Sequence, residues 1–437
     1  MPADLIVTNA LIVAGDAAGT VLRDGALAVE AGRIARIGPA AAIGTDAAEV
    51  IDARGMLLAP GLVNAHCHAG CSLFRGLVEG LALEPWLAKV WKAESATLAD
   101  PAHERLGATL GLAELALAGV TTTLDMYWRP RETVAAARAL GVRVATGPIF
   151  FDGPGVDGLA PPERLRAAEA FFADFAGADD VLPAALPHGT YTVGPDLLVA
   201  SRRMAREAGA LWQTHAAETR AEVEDVTRRR GRSPLRHLAA LGLLDPAVSL
   251  AHCVWLDDEE IAILADTGAT AVHNPVSNLK LASGIARVPD MLAAGARVAL
   301  GTDGAISGND LDPWLALRLA AMLHKGATLA ADAVPAAAAW RMATRDGAAA
   351  VGAADRLGSL EPGKAADMIL LDLGRAHAAP LFDPVTHLVF SAAKSDVRHV
   401  LVGGRWVVRD GALVGIDLGA LIAEVAALAP AIAASAA

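Results

Sequence analysis

Through roughly 300 residues of its middle, the chain alternates short apolar runs with Ala/Leu/Arg/Glu stretches of helical period. V-T-T-T-L-D-M follows the helical stretch 102–118, and R-V-A-T-G-P-I-F follows 131–140. V-L-P-A-A-L-P-H-G, A-L-W-Q-T-H-A-A-E, V-S-L-A-H-C-V-W, A-T-A-V-H-N-P and R-V-A-L-G-T-D-G continue the series. Such alternation predicts parallel strands joined by crossover helices, and about eight units fit, enough to close a (β/α)8 TIM barrel. Catalytic groups in that architecture come from the C-terminal ends of the strands. Here ligand-capable residues stand at those ends: His66 and His68, His188, His215 with Glu218, His252, His273 and Asp303.

The two ends of the chain have another texture. Residues 4–58 read as short strands between Gly and Asp turns, and residues 366–415 repeat the pattern. They are expected to pair into one small β-sandwich, which would bring the termini together. The expected division is residues 1–58 plus 360–437 as a composite sandwich with a C-terminal tail, and 59–359 as the barrel. The Ala-rich stretch 420–437 reads as a helix.

Composition narrows the function classes. With 54% hydrophobic and 20% charged residues, the chain has material for a large core, which argues against disorder. A net charge of −12 argues against nucleic acid or an anionic membrane as partner. No charge-free apolar run is long enough to suggest a membrane span, and the start lacks a signal-peptide pattern. The three cysteines, Cys67, Cys71 and Cys253, give no disulfide framework and suit a reducing cytoplasm.

The chemistry concentrates in A-P-G-L-V-N-A-H-C-H at 59–68. Alternate residues of a strand share a side, so His66 and His68 would project together while Cys67 points away into packing. With His215 and Asp303 they make three imidazoles and a carboxylate, a set that leaves room for a bound water. Gly301 and Gly304, flanking Asp303, are expected to supply backbone freedom for a turn at the strand mouth. Glu218, three residues after His215, is positioned to shuttle a proton between water and leaving group. The bland alternative is a helix-start Glu that complements the dipole. His252 is expected to contact the water or the leaving group. Two-metal barrel hydrolases bridge their metals through a carboxylated lysine on a middle strand. The corresponding strand here offers His188 and no lysine, so one divalent metal is expected.

Taken together, these segments resemble the amidohydrolase superfamily, and within it the methylthioadenosine/S-adenosylhomocysteine deaminases. The resemblance spans nearly the whole chain. It rests on L-L-A-P-G-L-V-N-A-H-C-H-A-G, G-V-T-T-T-L-D-M-Y, P-H-G-T-Y-T-V and H-A-A-E-T. It continues in A-H-C-V-W-L, V-H-N-P-V-S-N-L-K-L-A-S-G-I-A-R-V, A-L-G-T-D-G-A-I-S-G-N-D-L-D and G-S-L-E-P-G-K-A-A-D.

That resemblance implies a barrel with a sandwich built from both termini, a single zinc or iron, and hydrolytic deamination with loss of ammonia. By motif position His66, His68, His215 and Asp303 correspond to the metal ligands, Glu218 to the proton shuttle, and His252 to the histidine beside the hydrolytic water. The family's W-P-x-E, whose glutamate holds the ribose hydroxyls, appears as W-K-A-E and points to Glu94. His188 and Trp91 are the other implied substrate contacts, while Trp86 reads as helix packing. A homodimer or homotetramer is implied as well.

The pattern is departed from at Cys67, Lys92 and Trp255, where Thr, Pro and His are usual, and S-G-N-D replaces S-N-N-D. The resemblance makes an adenine nucleoside the leading substrate, and these departures bear on which nucleoside it is. Guanine, 8-oxoguanine, pterin or triazine rings are the alternative, and a non-catalytic binding barrel is the reading from another class.

Overall fold

The computed structural model describes residues 3–436. Eight parallel strands form the central sheet: Leu62–His68, Val120–Asp125, Arg143–Thr146, Val181–Pro187, Leu211–Ala216, Val248–His252, Thr270–His273 and Arg297–Leu300. Each pairs with the next in sequence. Asp303 and Gly304 then pair with Cys67 and His68 of the first strand, which closes the ring. The expected (β/α)8 barrel is what forms.

Barrel strands have no solvated face, so their sequences are near-continuous apolar or small-residue runs. V-T-T-T-L-D and L-W-Q-T-H-A are buried at every position. Helices return the chain between strands, often starting with Pro in the first turn and ending at a left-handed Gly such as Gly141, Gly209 or Gly268.

Both ends of the chain enter one nine-stranded mixed sheet. Met368–Asp372 pairs antiparallel with Met56–Pro60, which joins the C-terminal strands to the N-terminal ones. Alternation along these two strands assigns the layers. Leu58, Met368 and Leu370 face a second core with Val7, Ile12, Leu27 and Leu401. Leu57, Ala59, Ile369 and Leu371 face the main core shared with the barrel. Both strands are thus covered on two sides, which explains their unbroken apolar sequences.

The C-terminal helix Leu418–Ala436 packs chiefly against helices Leu83–Thr97 and Pro101–Leu117 of the barrel. By length and composition Leu418–Ser435 is apolar enough to cross a membrane, with a mean hydropathy of 1.8, although Glu424 interrupts it. The sequence had suggested no such segment. Leu421 and Ile432 are its buried residues and most of the remainder is exposed.

Candidate active site

The C-terminal mouth of the barrel gathers the residues that the strand ends had suggested. His66 and His68 lie on the first strand, His215 ends the fifth, His252 ends the sixth, and Asp303 follows the eighth. His68 Nε2 is 3.3 Å from His215 Nε2 and 3.2 Å from Asp303 Oδ1, and His66 Nε2 is 3.5 Å from the same carboxylate oxygen. The ligating atoms of His66, His68 and Asp303 lie within 4.8 Å of one another, as do those of His66, His215 and His252.

The other ring nitrogens fix what these rings can do. His68 Nδ1–H donates to the Met126 carbonyl at 2.6 Å, and His215 Nδ1–H to the His188 carbonyl. His66 Nδ1–H donates to Gln213 Oε1 at 2.7 Å. The Gln213 amide is itself oriented, because its Nε2 donates to the Ala65 carbonyl and Ser249 Oγ. A neutral imidazole that donates from Nδ1 presents a lone pair at Nε2. Three such lone pairs and a carboxylate converge here, and His66 Nε2 is fully buried without a hydrogen-bond partner. Acceptors do not gather this closely, dry and unpaired, unless a cation belongs among them. The donor set fits a divalent metal of the zinc type.

Charge effects agree. Burial opposes ionisation of Asp303, but the His66 and His68 imidazoles beside it hold its carboxyl well below the usual range. Burial also pulls the His68 imidazole down, and the Asp303 carboxylate outweighs it, raising His68 to about 9. In the metal-free protein the cluster therefore retains a proton.

Glu218 sits beside this centre. Its Oε1 accepts from Ser283 Oγ at 3.2 Å, and its Oε2 lies 3.7 Å from His252 Nε2. Burial, then the negative Asp303, raises its carboxyl to about 8. His252 Nδ1–H donates to Asn278 Oδ1 at 2.8 Å, which leaves Nε2 facing Glu218. The backbone bends sharply at these strand ends: Ala217, His252, Cys253 and Asp303 have φ of 53°, 76°, 49° and 58°. Non-glycine residues are held there at about 1–3 kcal/mol each, a cost characteristic of functional sites.

Away from the His–Asp cluster, the cavity is lined by Glu94, Trp91, Trp86 and His188 among others. Glu94 is buried and accepts from Tyr127 Oη at 2.8 Å and Trp128 Nε1 at 3.2 Å. Burial raises its carboxyl above the ordinary value in spite of these bonds. His188 stacks on Phe151 at 4.7 Å and meets Trp91 edge-on at 5.9 Å. Burial lowers its imidazole to about 3, so it is neutral.

Two expectations change. Trp86 is more than helix packing: it lines the cavity, and its buried indole N–H has no partner. Gly301 and Gly304 do not serve the turn through left-handed backbone, since Asp303 itself takes the positive φ. Glycine is required at 301 for space, because a Cβ would stand 2.3 Å from Asn274 Oδ1 and 2.9 Å from His66 Cβ. Trp255 stands outside the cavity lining, donates from Nε1 to the Ser283 carbonyl at 2.7 Å, and is covered by the Arg220 guanidinium at 4.5 Å. Cys67 is buried in the core as expected, and Lys92 is exposed on helix Leu83–Thr97.

Some residues at the site were not foreseen. Gln213 orients His66, Asn278 orients His252, and Ser283 holds Glu218. Glu222 accepts from the backbone N–H groups of Ala217 and Glu218 at 3.1 and 2.7 Å, fixing the turn that carries the candidate shuttle. Gln213 precedes His215 by two on one strand, so same-face alternation carried a signal for it.

Comparison with known proteins agrees with this geometry. Residues 57–407 match the model of the Amidohydrolase family. A 5-methylthioadenosine/S-adenosylhomocysteine deaminase from Syntrophobacter fumaroxidans is 39% identical over 426 residues, covering 97% of each chain. A 5'-deoxyadenosine deaminase from Methanosarcina mazei is 36% identical over 97% of this chain and 96% of its own. Among solved structures, an adenosine deaminase from Xanthomonas campestris with bound zinc superposes with a TM-score of 0.96, at 32% identity and 99% coverage of both chains. An atrazine chlorohydrolase from Arthrobacter aurescens complexed with zinc gives 0.90, at 26% identity, over 98% of this chain and all of its own. With a closed barrel, His and Asp donors at its mouth and a family match over most of its length, the chain belongs to the amidohydrolase family.

Proposed function

We propose that the protein is a metal-dependent hydrolytic deaminase of adenine nucleosides, exchanging the exocyclic amine of the purine for oxygen from water and releasing ammonia. The observation that carries this reading is the convergence of three Nε2 lone pairs and Asp303, with Glu218 alongside, in a cavity that also contains the buried Glu94 carboxylate. Residues His66, His68, His215 and Asp303 would hold one divalent metal, zinc by the character of the donors, with iron the alternative. When bound, that metal supplies a Lewis acid that lowers the pKa of water toward ~7.

The protein groups do the rest. Glu218 accepts one proton from water and delivers it to the ring nitrogen, where it stays; the second proton of the same water, accepted by Asp303, goes to the departing amine, which leaves as ammonia. A carboxyl with a raised pKa suits both directions of transfer near neutral pH. His252, neutral and anchored through Nδ1, orients the water from Nε2. Asp303 is a second proton acceptor at the same place. On the substrate side, Glu94 accepts from ribose hydroxyls through the lone pairs left by Tyr127 and Trp128, and His188 and Trp91 bound the ring plane.

The proposal also includes the division at 1–58 with 360–437 against 59–359, a cytoplasmic location and a homodimer or homotetramer. Support for these is the shared sheet of the two termini, the free buried cysteines and the family resemblance.

Ammonia release by metal-replete protein tests the reading against adenosine, methylthioadenosine, guanine, 8-oxoguanine, an aminopterin and aminotriazines. Turnover of an adenine nucleoside is expected. Turnover of free bases or triazines alone would keep the chemistry and remove the ribose role of Glu94.

A further inference from the structure

The nucleoside deaminases related to this chain are named for substrates that differ only beyond the 5' carbon: a hydrogen, a methylthio group, or a homocysteine that carries both a carboxylate and an ammonium. That difference can be read against the cavity wall. Helix Leu83–Thr97 supplies Leu83, Trp86, Leu87 and Val90, and Leu281 and Ile306 stand among the remaining lining residues. Among the described residues, no lysine or arginine lines the cavity. Its ionisable side chains are carboxyls and neutral or metal-directed imidazoles, with two tyrosines and a thiol whose pKa values burial raises.

An incoming carboxylate would therefore meet no cation apart from the metal that the purine end requires. It would also approach the Asp303 carboxylate, which is of its own sign. The ammonium has no carboxylate to itself either: in the nucleoside reading the lone pairs that Tyr127 and Trp128 leave on Glu94 go to the ribose hydroxyls, and Glu218, held by Ser283, faces the reaction centre. Moving either charge from water to such a wall without a partner is disfavoured. A methyl, methylthio or longer alkylthio group, by contrast, removes apolar surface from water on both sides.

We propose that this protein selects adenine nucleosides whose 5' substituent is uncharged and apolar, and discriminates against the homocysteine zwitterion. The inference rests on the nucleoside reading above and narrows it. Selection is by charge, not by length. Adenosine, with a neutral hydroxyl, falls between the two groups.

The test is kcat/KM for ammonia release by the metal-replete, full-length protein with five compounds: 5'-deoxyadenosine, methylthioadenosine, 5'-butylthioadenosine, adenosine and S-adenosylhomocysteine. The butylthio compound matches the length of the homocysteine chain without its charges. The expected result is comparable rates for the three apolar compounds, and a rate for S-adenosylhomocysteine lower by about a hundredfold. S-adenosylhomocysteine within tenfold of methylthioadenosine overturns the inference and leaves the nucleoside reading intact. A butylthio compound as slow as S-adenosylhomocysteine also overturns it, because length would then be the cause. If none of the five is turned over while a free base or triazine is, the nucleoside reading itself falls, and the inference with it.

Discussion

The floor and the wall of the active-site cavity are built on opposite principles. On the floor, each candidate ligand comes from the end of a barrel strand, and its second polar atom is committed to a buried partner. His68, His215 and His66 donate to Met126, His188 and Gln213, and His252 donates to Asn278. The wall comes from helix Leu83–Thr97 and the loops, and its residues are mainly apolar, with Glu94 and His188 among the exceptions. Where chemistry is fixed by a reaction, the fold supplies rigid strand ends and closed hydrogen bonds. Where a substituent must be recognised, it supplies a replaceable surface on a helix.

The difference can be broken first on the floor. Asp303→Ala or His215→Ala removes a ligand outright. Turnover should vanish, and the metal content of the purified protein should fall, measured by atomic absorption alongside ammonia release. Next in size is Glu218→Gln, which keeps the shape and the Ser283 contact but cannot shuttle protons. It should retain metal and lose about 10²–10⁴-fold in kcat. Gln213→Ala acts one step further out. It frees the His66 tautomer and should weaken metal affinity by about 10–100-fold, as read in a chelator titration. On the wall, Glu94→Gln places an amide N–H against the donors of Tyr127 and Trp128. kcat/KM for nucleosides should fall by about 10–100-fold, with metal content unchanged. A Glu94 variant that lost metal would mean that floor and wall are not separable.

The smallest effect is on pH-dependent stability. Glu218 and Glu222 are held at about 8 and about 7 by burial, above their ordinary 4.5. Between pH 4.5 and 8 these two carboxyls bind more protons in the metal-free fold than in the unfolded chain, so their contribution to stability falls as pH rises through that window. Glu218→Gln removes part of this slope, and the Tm of the metal-free variant should depend less on pH than that of the wild type.

The same division governs what the sequence reveals. The barrel was legible because strand–helix alternation is local, and His-x-His was legible because a two-residue period puts both rings on one side. The ligand-capable residues appeared in the right places because strand ends coincide with the ends of apolar runs. Long-range partnerships were not legible. Nothing near Asn278 announces His252, and nothing near Ser283 announces Glu218, because 26 and 65 residues separate these pairs. Gly301 was singled out for the wrong reason: its neighbours across the barrel, His66 and Asn274, leave no room for a Cβ. Trp86 follows helical spacing, so its place in the cavity wall emerged only from the packing of helix Leu83–Thr97 over the mouth.

The central claim is that one metal centre and one carboxylate at the barrel mouth together release ammonia from an adenine nucleoside. Its most direct test measures bound metal and ammonia release from methylthioadenosine on the same samples of wild type and Glu218→Gln. The account predicts equal metal in both and ammonia from the wild type alone. Ammonia release by Glu218→Gln within a few-fold of wild type, or release by wild type that persists after the metal is stripped, would contradict it.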